Sequence, residues 1–327
     1  MEIFNMSESF SKIIKYLQTS NQPWVKYNLQ SQLQNLPYNN SKVKKYKEEM
    51  NQHPKIQELI KECKTWPGYS LIRHNDAAHP IHKIVMLADF GLTSKDPGID
   101  EIVNKILSNQ SEEGSFQSQL EIPTRYGGGG KPEMGWMLCD APLLLYSLQK
   151  FGVDDKRVTE AANHLLSLVD DNGWRCKTSM GFRGPGRKAD HCPYANLISV
   201  KALAENPKYL ESDAVCFGVE AQLEHWNNRH DRKFYLFGIG TTFGRLKYPH
   251  VWYDILHVLD VLSKVPYARE DYRFLEMLSL INRKQLYDGS FIPESVWKAF
   301  KGWSFGQKKE ASPWITYKIA LINSRVM

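Results

Sequence analysis

The chain has 327 residues, of which 42% are hydrophobic, 12% aromatic and 24% charged, with a formal net charge of +6. That composition holds enough apolar side chains for a large core and excludes an intrinsically disordered chain. The basic excess is small and scattered, so it gives no reason to expect a nucleic-acid partner.

No apolar run reaches the roughly 20 residues that a membrane-spanning helix needs. The first residues, MEIFNMSESFSKIIKYLQ, are polar and carry acids, unlike a secretory leader. A cytoplasmic location is the expectation. The five cysteines, at 63, 139, 176, 192 and 216, contain no CxxC pair and are expected to be reduced thiols.

In chain order, residues 9–20 and 22–36 predict a first helical hairpin, and 42–50 a solvated, charged helix face. Residues 53–66 predict an amphipathic helix, followed by a polar group, His74, Asn75, Asp76, His79 and His82, at the head of an apolar segment over 74–91. His79 and His82, three apart, share a helix face, where histidines most often bond loop backbone. The same alternation then recurs. Amphipathic segments at 99–110, 156–169, 212–226 and 272–286 alternate with more uniformly apolar ones at 139–152, 191–206, 248–264 and 312–322. Pro80, Pro142, Pro193, Pro249 and Pro313 stand near the heads of the apolar segments, at intervals of 62, 51, 56 and 64 residues. Proline suits a first helical turn, whose N–H groups have no intrahelical acceptor.

Three of the amphipathic segments lead into a polar residue, a glycine and an aromatic: EEGSF (112–116), DNGW (171–174) and DGSF (288–291). The glycine is expected as a left-handed helix cap, with the aromatic folded back on the hairpin. Long, glycine- and aromatic-rich loops at 125–136, 180–191 and 235–250 precede apolar helices, and such loops often carry function. The GGGG run at 127–130 lacks the strand and the GK[ST] ending of a phosphate loop and is expected to be a mobile lid. Lys308 and Lys309 are expected at the surface. No segment alternates as a strand does. The pattern therefore predicts an all-α fold, an α/α toroid of about six helical hairpins in one domain over 1–327, with the hairpin at 8–37 completing the ring.

This outer helix, glycine-aromatic turn and inner helix resembles the repeat of the squalene cyclase and protein prenyltransferase β-subunit superfamily. GRKADHCPY (186–194) resembles the family segment in which basic residues precede an Asp-x-Cys element. The resemblance implies a zinc ion held by Asp190, Cys192 and His250, the last in YPHVWY. It also implies a diphosphate held by Arg183, Arg187 and Lys188, and an isoprenoid pocket lined by Trp136, Tyr194, Trp252, Tyr253 and Trp314. Zinc with three protein ligands keeps a fourth position for a substrate thiol, which it would hold as the thiolate. A zinc-dependent prenyl transferase acting on an isoprenoid diphosphate, with room for a protein partner, is the leading expectation. The acidic Asp-x-Asp-Asp element of proton-initiated triterpene cyclases is absent, and Pro193 follows the cysteine where the family carries an aromatic.

Two other readings stand beside it. A cyclase-like or sugar-active enzyme would work through mouth carboxylates without a metal, with Asp140 and Asp254 as catalytic residues and His257 beside the latter. A non-catalytic toroid would bind an apolar small molecule or a partner protein. Each residue also has a structural role open to it: Asp190 and Asp140 as helix caps, Cys192 and Cys139 as small buried hydrophobes.

Overall fold

The structure is a computed structural model that describes residues 6–184 and 186–327, so the first five residues of the leader reading lie outside it. The described residues form an all-α protein. In chain order the helices are α1 (Met6–Gln18), α2 (Pro23–Asn28), α3 (Ser41–Gln52), α4 (Pro54–Cys63), α5 (Pro80–Asp89), α6 (Ile99–Leu107), α7 (Ala141–Lys150), α8 (Lys156–Ser167), α9 (Pro193–Leu203), α10 (Asp213–Asn227), α11 (Ile255–Leu262), α12 (Pro266–Glu270), α13 (Tyr272–Asn282) and α14 (Pro313–Val326). A π-helical turn, Leu29–Leu33, continues α2. One small departure from the all-helical expectation is an antiparallel strand pair, β1 (Ser118–Leu120) with β2 (Glu133–Gly135), which closes the loop holding the GGGG run. No described helix is long and apolar enough to cross a membrane.

The chain divides into two compact units: 1–57 with 241–250 and 254–327, and 58–240 with 251–253. In the second unit α5 packs on α7 and α7 on α9, while α8 touches α7 and α9, and α10 lies along α9. Every residue of α9 is buried, as are Ala141–Leu148 of α7. On α8, by contrast, only Val158, Ala161, Ala162 and Leu165 are buried. The difference between uniformly apolar and one-faced segments thus separates central from covering helices. Asp155 caps α8 by accepting from Arg157 N–H at 2.9 Å, and Ser212 caps α10 through Val215 N–H.

In the first unit α14 packs against α1, α2, the π turn and α11, and α11 against α13. A buried ion network ties two of these helices. Asp260 on α11 accepts from Lys318 Nζ at 2.7 Å, with Arg325 Nη1 at 3.4 Å, both on α14. Burial opposes the Asp260 carboxylate, yet the Lys318, Arg325 and His250 charges hold its pKa well below the usual carboxylate range.

The glycine-aromatic turns do more than the sequence pattern foretold. Gly114, Gly173 and Gly289 are left-handed, with φ of +108°, +96° and +91°. They do not cap helices, because α6, α8 and α13 have ended several residues earlier. Each sits in a separate tight turn that returns a buried aromatic, Phe116, Trp174 or Phe291, to the core. A Cβ on Gly173 would lie 2.3 Å from Asn196 Oδ1. The reason is a latch: Asn196 accepts from Trp174 N–H at 2.9 Å and donates to the Trp174 and Cys192 carbonyls at 2.7 and 2.9 Å. Thr316 on α14 does part of this job in the first unit, its hydroxyl accepting from Phe291 N–H at 3.0 Å. Both polar residues fall three places after the helix-opening proline, Pro193 or Pro313.

Pro80, Pro142, Pro193 and Pro313 sit in first helical turns as expected. Pro249 does not. The helix foreseen over 248–264 begins at Ile255, where the Asp254 carboxylate accepts from His257 N–H at 3.0 Å and sets the start.

Candidate functional site

In the second unit, polar side chains gather where the segments before α5, α7 and α9 end. Asp140 occupies the N-cap position of α7, but its side chain caps no helix N–H. It is 1% exposed, and both of its oxygens lie 3.0 Å from Nδ1 of His74. Burial works against the His74 imidazolium, but the Asp140 charge and hydrogen bond outweigh it and raise its pKa above the ordinary 6.5. The two other histidines of this group behave differently. His82 Nε2 bonds the His74 carbonyl at 2.8 Å, and burial pushes its pKa down to about 4. His79 bonds the Tyr69 carbonyl at 2.8 Å and caps α5, and burial lowers its pKa also. These two hold loop backbone, as expected. Of the three, His74 alone bonds a carboxylate, and it is the more exposed member of its pair, at 25% of its side chain.

Three thiols lie beside this pair. Met137 pairs antiparallel with Thr178. Leu138 N–H donates to the Lys177 carbonyl and Ser179 N–H to the Trp136 carbonyl, each at 3.0 Å. The pairing ends there, because Asp140 N–H turns back to the Met137 carbonyl at 2.9 Å. The neighbouring Cys176 and Cys192 thiols, with burial, raise the Cys139 pKa. Cys139, the Tyr235 hydroxyl and the His74 charge lower the Cys176 pKa despite burial. Burial, with the nearby thiols, pushes the Tyr235 phenol up.

Tyr235 is held by a loop built for it. Cβ atoms on Gly184 or Gly186 would strike its side chain, at 1.9 Å from the hydroxyl oxygen and 2.3 Å from Cδ2. Its backbone N–H donates to Asp190 Oδ2 at 3.1 Å, and the other Asp190 oxygen accepts from Arg232. Asp190 therefore anchors the Tyr235 loop. Cys192 precedes α9 as its N-cap residue without a side-chain capping bond, and its N–H donates to Trp174.

The aromatic residues form a wall adjoining the thiols through Cys192. Tyr194 donates its hydroxyl to the Val251 carbonyl at 3.0 Å, and its ring lies 4.3 Å from Trp252. Trp252 stacks on Phe237 at 5.5 Å. Tyr253 shares a 2.8 Å bond with His225 Nδ1, and burial, then the Cys192 sulfur, pushes its phenol up. Burial lowers His225 and His191 to about 4. Trp136 lies elsewhere, its Nε1 donating to Glu113 Oε2 at 2.7 Å and its ring edge-on to His164. Arg183, Arg187 and Lys188 are exposed on the 180–190 segment.

The residues of the zinc expectation are divided between the units. Asp190 and Cys192 belong to the second and His250 to the first. His250 stacks flat on His257, with ring centres 4.7 Å apart, and its Nε2 is 3.7 Å from Asp260. Asp254, also in the first unit, caps α11. Trp314 is buried there against Tyr248 and Tyr317. Among the described residues no group of three or more His, Cys, Asp or Glu side chains is gathered to hold a metal ion. Asp190 accepts from Arg232 with one oxygen and from the Tyr235 backbone N–H with the other.

Sequence reasoning placed Asp140 and His74 in polar groups but did not join them, and it missed Cys176 and Tyr235. Both lie in irregular segments that carry no periodicity. The available signal was compositional: three of the five cysteines, 139, 176 and 192, fall just before α7, in the following loop and just before α9.

No family model matches the chain, and no curated protein matches it. Solved structures do resemble it. A protein from Actinoplanes is 12% identical with a TM-score of 0.46, over 98% of this chain and 99% of that one. The type II terpene cyclase MstE from Scytonema is 13% identical with a TM-score of 0.45, over 98% and 97%. A possible member of the GH105 family from Salmonella enterica is 11% identical with a TM-score of 0.46, over 99% and 95%.

Proposed function

We propose that the chain is an acid–base enzyme whose proton-transferring group is His74, oriented by Asp140, which favours its protonated form, acting on an apolar, isoprenoid-like molecule. The observation that carries this reading is the buried carboxylate gripping one imidazole nitrogen at 3.0 Å while the same imidazole stays part-exposed. A carboxylate fixed on Nδ1 sets the tautomer and leaves Nε2 to give or take a proton at a substrate. Asp140 is a positioning residue in this scheme. The Tyr235 phenol and the Cys176 thiol supply further polar contacts beside it, and the rings of Tyr194, Phe237, Trp252 and Tyr253 favour an apolar partner over a strongly anionic one.

The experiment is turnover of linear polyprenyl compounds (farnesol, geranylgeraniol and a polyprenyl phenol) in heavy water, with products resolved by mass spectrometry. Deuterium-bearing isomers formed by the wild type and lost in His74→Gln support the proposal. Binding without any isomerisation or exchange, under conditions where the protein is folded, would refute the catalytic part and leave an apolar-ligand binder.

A further inference from the structure

Three non-glycine residues among the described ones have a positive φ: Asn35, Tyr235 and Leu236. Asparagine tolerates that region, whereas a bulky residue there is an outlier. Here two such residues are adjacent, at 44° and 67°. They are the central pair of a tight turn closed by Phe237 N–H to the Phe234 carbonyl at 2.8 Å. Turns with two left-handed central residues strongly prefer Asn-Gly, so Tyr-Leu is held against its own preference. The flanking contacts hold it. The Phe234 ring stacks on His191 at 4.7 Å, with the Arg232 guanidinium 4.4 Å from its centre. Tyr235 lies in the cradle of Gly184 and Gly186, and its N–H donates to Asp190. Phe237 stacks on Trp252, and its carbonyl accepts from His225 Nε2 at 3.1 Å. Leu236 is the exception. It stands 61% exposed at the tip, so burial of its own side chain offsets little of the strain. Strain of this kind gathers at ligand clamps and active sites.

We infer that the 234–237 turn is a preformed ligand clamp and that Leu236 is its specificity-determining residue, which meets the hydrocarbon chain of the ligand. Leu236 immediately precedes Phe237, so it extends the aromatic wall of Phe237 and Trp252 into solvent. Because the flanking residues already fix the turn, binding orders nothing there, and the contact with Leu236 adds to affinity directly. The His225 bond fixes the imidazole with its proton on Nε2, so Tyr253 donates to Nδ1 and the wall beside the clamp is locked as well. This inference rests on the apolar-ligand half of the proposed function and not on proton transfer by His74.

The test measures geranylgeraniol binding by equilibrium dialysis, and thermal unfolding, for the full-length wild type, Leu236→Ala, Leu236→Gly, Leu236→Met and His74→Gln. Leu236→Ala and Leu236→Gly should both bind about tenfold more weakly, from the lost burial of one leucine side chain. Leu236→Met and His74→Gln should bind as the wild type does. Leu236→Gly should unfold roughly 1–4 °C above Leu236→Ala, because only glycine is unstrained at this φ. Unchanged affinity in Leu236→Ala, beside a wild type that binds, would overturn the inference and leave the proposed function standing. A wild type that binds no geranylgeraniol would overturn both. A Leu236→Gly protein no more stable than Leu236→Ala would remove the strain, and the clamp with it.

Discussion

Replacing Asp140 with asparagine removes one charge and keeps nearly the same shape, and a neighbouring histidine gauges the effect. His74 and His82 are joined by a hydrogen bond, and both are subject to burial. His82, with only a backbone carbonyl as partner, is held at about 4. His74, with Asp140 as partner, lies above 6.5. Without the carboxylate, only burial acts on the imidazole, and the His74 pKa should fall below the ordinary 6.5, the direction in which burial moves His82. Because the folded pKa of His74 is raised, the pair stabilises the fold most below pH 6.5, and that contribution fades as pH rises through the folded value. The assay is a histidine Cε1–H NMR titration of wild type and Asp140→Asn, with His74→Gln to assign the signal. A His74 titration that moves by less than about half a unit would refute the coupling on which the site is built.

Other outcomes rest on the same packing. Asp260→Ala should destabilise the protein by about 3–5 kcal/mol in urea unfolding, because it leaves Lys318 charged and buried. Since the Asp260 pKa is depressed, the gap between the two proteins should be complete above about pH 4 and close as pH falls through the folded value. Gly173→Ala should cost about 1–3 kcal/mol in thermal or urea unfolding, from a positive φ and the collision with Asn196. Asn196→Ala should cost about 1–3 kcal/mol for each buried Trp174 backbone group it strands, whereas Asn196→Asp should spare the N–H and strand the carbonyl.

The helices were legible because burial imposes periodicity. α9 and α7 are apolar all round and prove buried all round, while α8 is apolar on one face and buried on that face. Boundaries were legible where a proline or a capping side chain fixed them, as at Pro193 and Asp155, and misplaced at Pro249, where the capping power of Asp254 won. The glycine-aromatic turns were visible as a motif, but their latch to Asn196 or Thr316 was not, because it joins positions more than 20 residues apart. The site was the least legible part. Asp190 was singled out from its neighbours in sequence, but its hydrogen-bond partners, Arg232 and Tyr235, lie more than 40 residues downstream. Asp140 was singled out for its place before a helix; its hydrogen-bond partner, His74, lies 66 residues earlier.

The central claim is that His74, poised by Asp140, moves a proton at an apolar substrate. It is tested most directly by deuterium uptake into polyprenyl products, measured side by side for wild type, Asp140→Asn and His74→Gln at matched folded protein. The account predicts uptake by the wild type that declines as pH rises through the raised His74 pKa, a large fall in Asp140→Asn with its pH dependence moved to lower values, and none in His74→Gln. Uptake in His74→Gln equal to that of the wild type would contradict it.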